Sequence, residues 1–117
     1  MPALAVVVTC HNLHPKMHHG DHFTVTYDID SLTARKVALR AALLDPAGHD
    51  RSDGSGDRDS FAVAAGHTTV SRQVDVPSNL ALHTTFKVVG QVWPEHHAGD
   101  HTVAVIAQDS CGSFEVS

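Results

Sequence analysis

The chain reads as an antiparallel β-sandwich of seven to eight short strands, and three features predict it. Apolar and polar residues alternate with period two along several stretches, as in half-buried strands. Turn-forming Gly, Pro, Asn and Asp punctuate these stretches at intervals of roughly 8 to 12 residues. Thr84 to Gln108, TTFKVVGQVWPEHHAGDHTVAVIAQ, has the pattern of two long strands joined by a turn.

Ala3 to Thr9 is the first strand, and Phe23, Val25, Tyr27 and Ile29 mark the second, with Thr24, Thr26 and Asp28 turned outward. The link between them carries histidines, Pro15 and Gly20. After a turn over 30–34, Lys36 to Leu44 alternates Val37, Leu39, Ala41 and Leu43 on one face. It is rich in Ala and Leu, but it is short and stops at Asp45, Pro46 and Gly48, which favours a strand over a helix. Gly48 to Ser60, GHDRSDGSGDRDS, is too polar for any core and is an exposed loop. Phe61 to Ala65 and Thr68 to Val76 are strands separated by Gly66, and Ser78 to His83 crosses over.

In Thr84 to Trp93, Phe86, Val88, Gly90 and Val92 share one face and Thr85, Lys87 and Gln91 the other. Pro94, Gly99 and Asp100 supply the turn, and His101 to Ala107, with Val103 and Val105, is expected to return as the paired strand. Gly112 interrupts or bulges the last strand, which resumes over Phe114 to Val116.

Leu80, Thr84 and Phe86, followed by alternating Val88 and Gly90, resemble the segment of fibronectin type III and immunoglobulin-like domains that enters their sixth strand from a leucine-containing turn. The resemblance implies a fold and no activity, because sandwiches of this kind host many unrelated functions. Phe86 stands where that family usually has the tyrosine of a tyrosine corner, and Pro-Gly is missing at Leu82 and His83. The family's disulfide between the sheets has no counterpart, and Trp93 ends a strand instead of standing in its centre.

At 117 residues the chain is a single domain, 1–117, long enough to bury about two thirds of its unfolded surface without a metal or disulfide. No apolar run approaches the ~20 residues of a membrane span. The opening PALAVVVTC is short and lacks a basic leader, so no signal peptide is read there and the compartment is left open. A formal charge of −5, with scattered Lys and Arg, argues against a nucleic-acid partner. Histidine is the anomaly: protonating all 11 would reverse the sign of the net charge.

If the strands run up and down, 10–22, 45–60 and 77–83 gather at one end with the C-terminus. His11, His14, His18, His19 and His22 then neighbour Asp50 and Asp53, a composition that suits zinc or copper, although no matched ligand spacing is present. Asp50, Asp53, Asp57 and Asp59 invite calcium, against competition from Arg51 and Arg58. The even pair Cys10 and Cys111 could form a disulfide, remain two buried thiols, or lend a thiolate to a metal. No nucleophile and base stand in a catalytic pattern, so no catalytic residue is assigned. Trp93, with His96 and His97 in the turn beside it, is the candidate protein-contact surface, against the plainer role of a tryptophan capping the core. The expected role is therefore a non-enzymatic module that meets a protein partner or itself through loops or an edge strand. The alternative is a small metal-binding protein, and a metal-assisted enzyme ranks below both.

Overall fold

The structure, a computed structural model, describes residues 3–117; Met1 and Pro2, which open the apolar stretch read above, lie outside the described residues. It is all-β, with eight strands: β1 Leu4–His11, β2 Lys16–Met17, β3 His22–Ser31, β4 Arg35–Leu44, β5 Arg58–Val63, β6 Gly66–Asp75, β7 Thr85–Pro94 and β8 Ala107–Val116. They form a three-stranded sheet in the order β1-β3-β6 and a five-stranded sheet in the order β2-β8-β7-β4-β5. All pairings are antiparallel except the short β2, which runs parallel to β8. No helix among the described residues is long and apolar enough to cross a membrane.

The predicted alternation becomes the core. Phe23, Val25, Tyr27 and Ile29 of β3 face Val37, Leu39, Ala41 and Leu43 of β4 and Phe86, Val88 and Val92 of β7, all at most 2% exposed. Phe114 bridges the layers, its ring centroid 6.0 Å from Phe23 and 5.8 Å from Phe86. Gly90 is required where β7 passes under β1: a Cβ there would lie 2.7 Å from both methyls of Val8 and 3.0 Å from the Tyr27 ring. The alternation Val88, Gly90, Val92 thus marks the inner face, with the glycine at its narrowest point.

The end of the chain differs from the expectation. His101 to Ala107 is not the returning strand; 95–106 is a long loop, and the strand paired with β7 is β8, beginning at Ala107. Val103 and Val105 alternate without entering a sheet. The bulge expected at Gly112 is present, since the β7–β8 register shifts between Val88 and Val89, where Gly112 and Ser110 are their respective partners. Cys111 is the extra residue. The two-residue β2 in the first link also escaped the sequence, and its Met17 is 2% exposed.

Candidate functional site

Turns at 12–21, 45–57 and 76–84 lie at the same end as the C-terminus, so the predicted histidines do share that end. They are nonetheless engaged separately. His18 Nδ1 donates to the Ser117 carbonyl (3.0 Å), and His19 Nε2 donates to the Leu80 carbonyl (2.7 Å). His14 and His22 line one shallow groove with Asp21, while His11 stays on β1. Among the described residues, no group of three or more His, Cys, Asp or Glu side chains could hold a metal ion. The zinc or copper set expected of His11, His14, His18, His19, His22, Asp50 and Asp53 is thus not assembled, and neither is calcium at the acidic loop.

The reason in the acidic loop is Arg40, which the sequence reading passed over. Its Nε donates to Asp50 Oδ2 (2.8 Å) and its Nη1 to Asp57 Oδ2 (2.7 Å), with side-chain exposures of 16%, 21% and 28% for the three. Asp50 Oδ1 also accepts from Leu43 N and Ser52 N, and Asp53 Oδ1 from Ser55 N. The aspartates therefore shape turns and neutralise a strand arginine, and no open oxygen cage is left. Arg51 pairs with Asp45, and Arg58 lies over the Phe61 ring instead of competing for the loop carboxylates.

Loop 95–106 folds back across the outer face of the five-stranded sheet. His96 N donates to the Asp59 carbonyl (2.9 Å), the His96 ring bonds the Asp59 carboxylate, and Ser60 Oγ donates to Glu95. Gly99 passes Arg40 so closely that a Cβ would sit 3.2 Å from its Nε. Ala38, Ala42, Val89 and Trp93, on this outer face, are buried although they lie outside the main core. Trp93 is 8% exposed and its Nε1 donates to Gln91 Oε1 (3.0 Å), so its ring offers a partner little surface as it stands. His96 and His97 are exposed but tied to Asp59 and Asp100.

Cys10 and Cys111 form a disulfide, with Cα atoms 5.3 Å apart, joining β1 of one sheet to β8 of the other. Beside it, Asp109 Oδ2 accepts from Val8 N (2.9 Å) on the edge of β1 that faces away from β3.

That leaves the edges of the two sheets, which are not equal. On the β1 edge Asp109 takes the Val8 N–H and the disulfide ties Cys10 to β8, so an added strand could not pair along its whole length. On the opposite flank β5 has only six residues, a bulge interrupts its pairing with β4, and Arg58 Nε donates to the Ser60 carbonyl. The upper part of β6 is covered by 54–57: Ser55 Oγ accepts from Asp75 N, and Arg72 donates to the carbonyls of Gly56 and Asp57. The lower part, Gly66 to Ser71, has no such cover. Because Asp75 N points to Ser55 while Val76 N bonds Asp21 O beyond β3, the odd residues of β6 direct their N–H and C=O groups away from the sheet. For His67, Thr69 and Ser71, no backbone partner on that side occurs among the described residues.

No family model matches this chain. No curated protein matches it either. Among solved structures it is similar to the crystal structure of a "putative beta-galactosidase" from Bacteroides fragilis, with 16% identity and a TM-score of 0.49. The match covers 93% of this chain and 15% of that one, so this chain spans a small part of that protein, and the galactosidase chemistry stays with it.

Proposed function

We propose that this chain is an immunoglobulin-like sandwich, acting as a single domain that binds another protein without catalysis, and that its binding element is the open edge of β6. Strand order supports the fold. Apart from β2, the first, second and fifth long strands share one sheet, and the seventh, sixth and third share the other, as A-B-E and G-F-C do in immunoglobulin domains. The fourth long strand, β5, lies beside the third, as C′ does in the variable type.

The observation that carries the binding role is the unprotected ladder at His67, Thr69 and Ser71. Sheet edges of stable proteins are blunted by charge, proline, bulges or covering loops, and this sandwich uses such devices at β1, β5 and upper β6. Lower β6 contains no Lys or Pro, and its register with β3 is unbroken from Gly66 to Asp75. An extended segment added there gains main-chain hydrogen bonds, with specificity from the alternate side chains.

Thr69→Pro tests this directly. Residue 69 directs its N–H outward, so proline removes no backbone bond to β3 and gives up the exposed Thr69 Oγ1–Asp28 bond, and edge strands tolerate it. A displayed library of random extended peptides should yield binders to the wild type that Thr69→Pro loses while still unfolding in one cooperative transition, lowered by no more than the exposed Thr69–Asp28 bond contributes. Binders that ignore the substitution would move the site elsewhere on the molecule.

A further inference from the structure

The lower β6 edge, GHTTVS, is complementary to itself. We infer that its occupant is the same edge of a second copy, running antiparallel about a twofold axis at Thr69; this rests on the edge-binding reading above. The outward N–H and C=O groups fall at 67, 69 and 71. With Thr69 opposite Thr69, His67 lies opposite Ser71, so each of these pairs exchanges two hydrogen bonds and every free group on the strip is used.

The side chains agree with this register. Toward the core, Thr68 falls opposite Val70 and Gly66 opposite Arg72, so the bulky arginine meets a residue without a side chain. Further along, the small Ala65 falls opposite Gln73, which leaves room for the turn between β5 and β6. No carboxylate lies on the strip. The nearest ones on its outer face, Asp28 and Asp30, are one strand further in and are engaged by Thr69 Oγ1 (2.8 Å) and His67 Nδ1 (3.0 Å). A chain with a formal charge of −5 would repel its copy at most other approaches, whereas the side chains that meet here include no carboxylate, and Arg72 adds a positive charge. A twofold contact must be self-complementary, and a strip that matches its own reverse meets that condition at a single register.

Sedimentation velocity over a concentration series should show a reversible dimer for the wild type and a monomer for Thr69→Pro. As a variant that leaves the backbone alone, Thr69→Lys places like charges directly opposite each other, and it should also be monomeric. A Thr69→Cys variant should cross-link to its copy under mild oxidation while Ser71→Cys does not, because only residue 69 meets itself. A wild type that stays monomeric throughout would overturn self-pairing while leaving the peptide-library result to decide the edge reading. A dimer that persists in both Thr69→Pro and Thr69→Lys would overturn self-pairing at this edge. A dimer that cross-links through residue 71 would overturn the register.

Discussion

Arg40 shows how one side chain can settle the character of a loop. It stands between Ala38 and Ala42 on the outward side of β4, whose small side chains leave it room, and two carboxylates from 50–57 close on it. Removing one member of such a set leaves the others unpaired, so Arg40→Met should cost about 2–3 kcal/mol, below the figure for a fully buried pair because these groups keep some solvent contact. Urea unfolding would read this as a lower midpoint at unchanged slope. Tyr27 presents the opposite case. Its hydroxyl is buried without a protein partner among the described residues, as is Asp57 Oδ1, and burial pushes the phenol well above its ordinary range. Tyr27→Phe should therefore be as stable as the wild type or more stable; a loss beyond ~1 kcal/mol would show that the hydroxyl is bonded. Neither residue's role was legible in the sequence. The Arg40 partners lie 10 and 17 positions away and the Tyr27 hydroxyl has none, and the alternation that identifies an inner or outer face says nothing of what meets it there.

At the scale of elements, legibility followed burial. β3, β4 and β7 each bury one full face in the core, so their alternation predicted them within a residue or two. β8 buries mainly Phe114 and Val116, and its remaining residues are held by pairing with β7, which leaves a weak periodic trace. The apolar rhythm of Val103 and Val105 drew the expected strand to residues that in fact lie in the loop crossing β4. The end-sharing of turns was legible because it follows from strand count alone. Convergence of the histidines was not, because it depends on where each ring finds a carbonyl or a carboxylate. The β1–β8 disulfide acts at this scale as well. It closes a loop with a sequence separation of 101, for which the loop-entropy relation gives about 4–5 kcal/mol of stabilisation. A Cys10→Ala/Cys111→Ala variant should show that loss in equilibrium unfolding, and wild type treated with reductant should match it.

For the molecule as a whole, the imidazole–carboxylate pairs set the direction of the pH response. The hydrogen bond that the His67 ring donates to Asp30, helped by Asp28, raises His67 above its ordinary value, and Asp59, with Glu95, does the same for His96. A group with a raised folded-state pKa contributes fully below the unfolded value, about 6.5 for histidine, and the contribution is lost as pH rises through the folded value. Asp45, bonded by the His49 amide, and Asp100, bonded by Thr102 and His97, are held below the usual carboxylate range. Their contribution is present above about pH 4 and disappears in stronger acid. The melting temperature should accordingly be highest between about pH 4 and 6.5 and decline toward pH 8. His67→Asn/His96→Asn should flatten the upper limb, and an unchanged limb would assign it to other groups.

The bond between Cys10 and Cys111 also decides how this chain would bear force. Tension applied through residues before Cys10 and after Cys111 passes from the first strand to the last across the disulfide, bypassing almost everything between them. The enclosed chain, about 350 Å when fully extended, cannot pay out while the bond is intact. Oxidised, the chain behaves under load as a short, stiff link; reduced, the same sequence becomes a long extensible one.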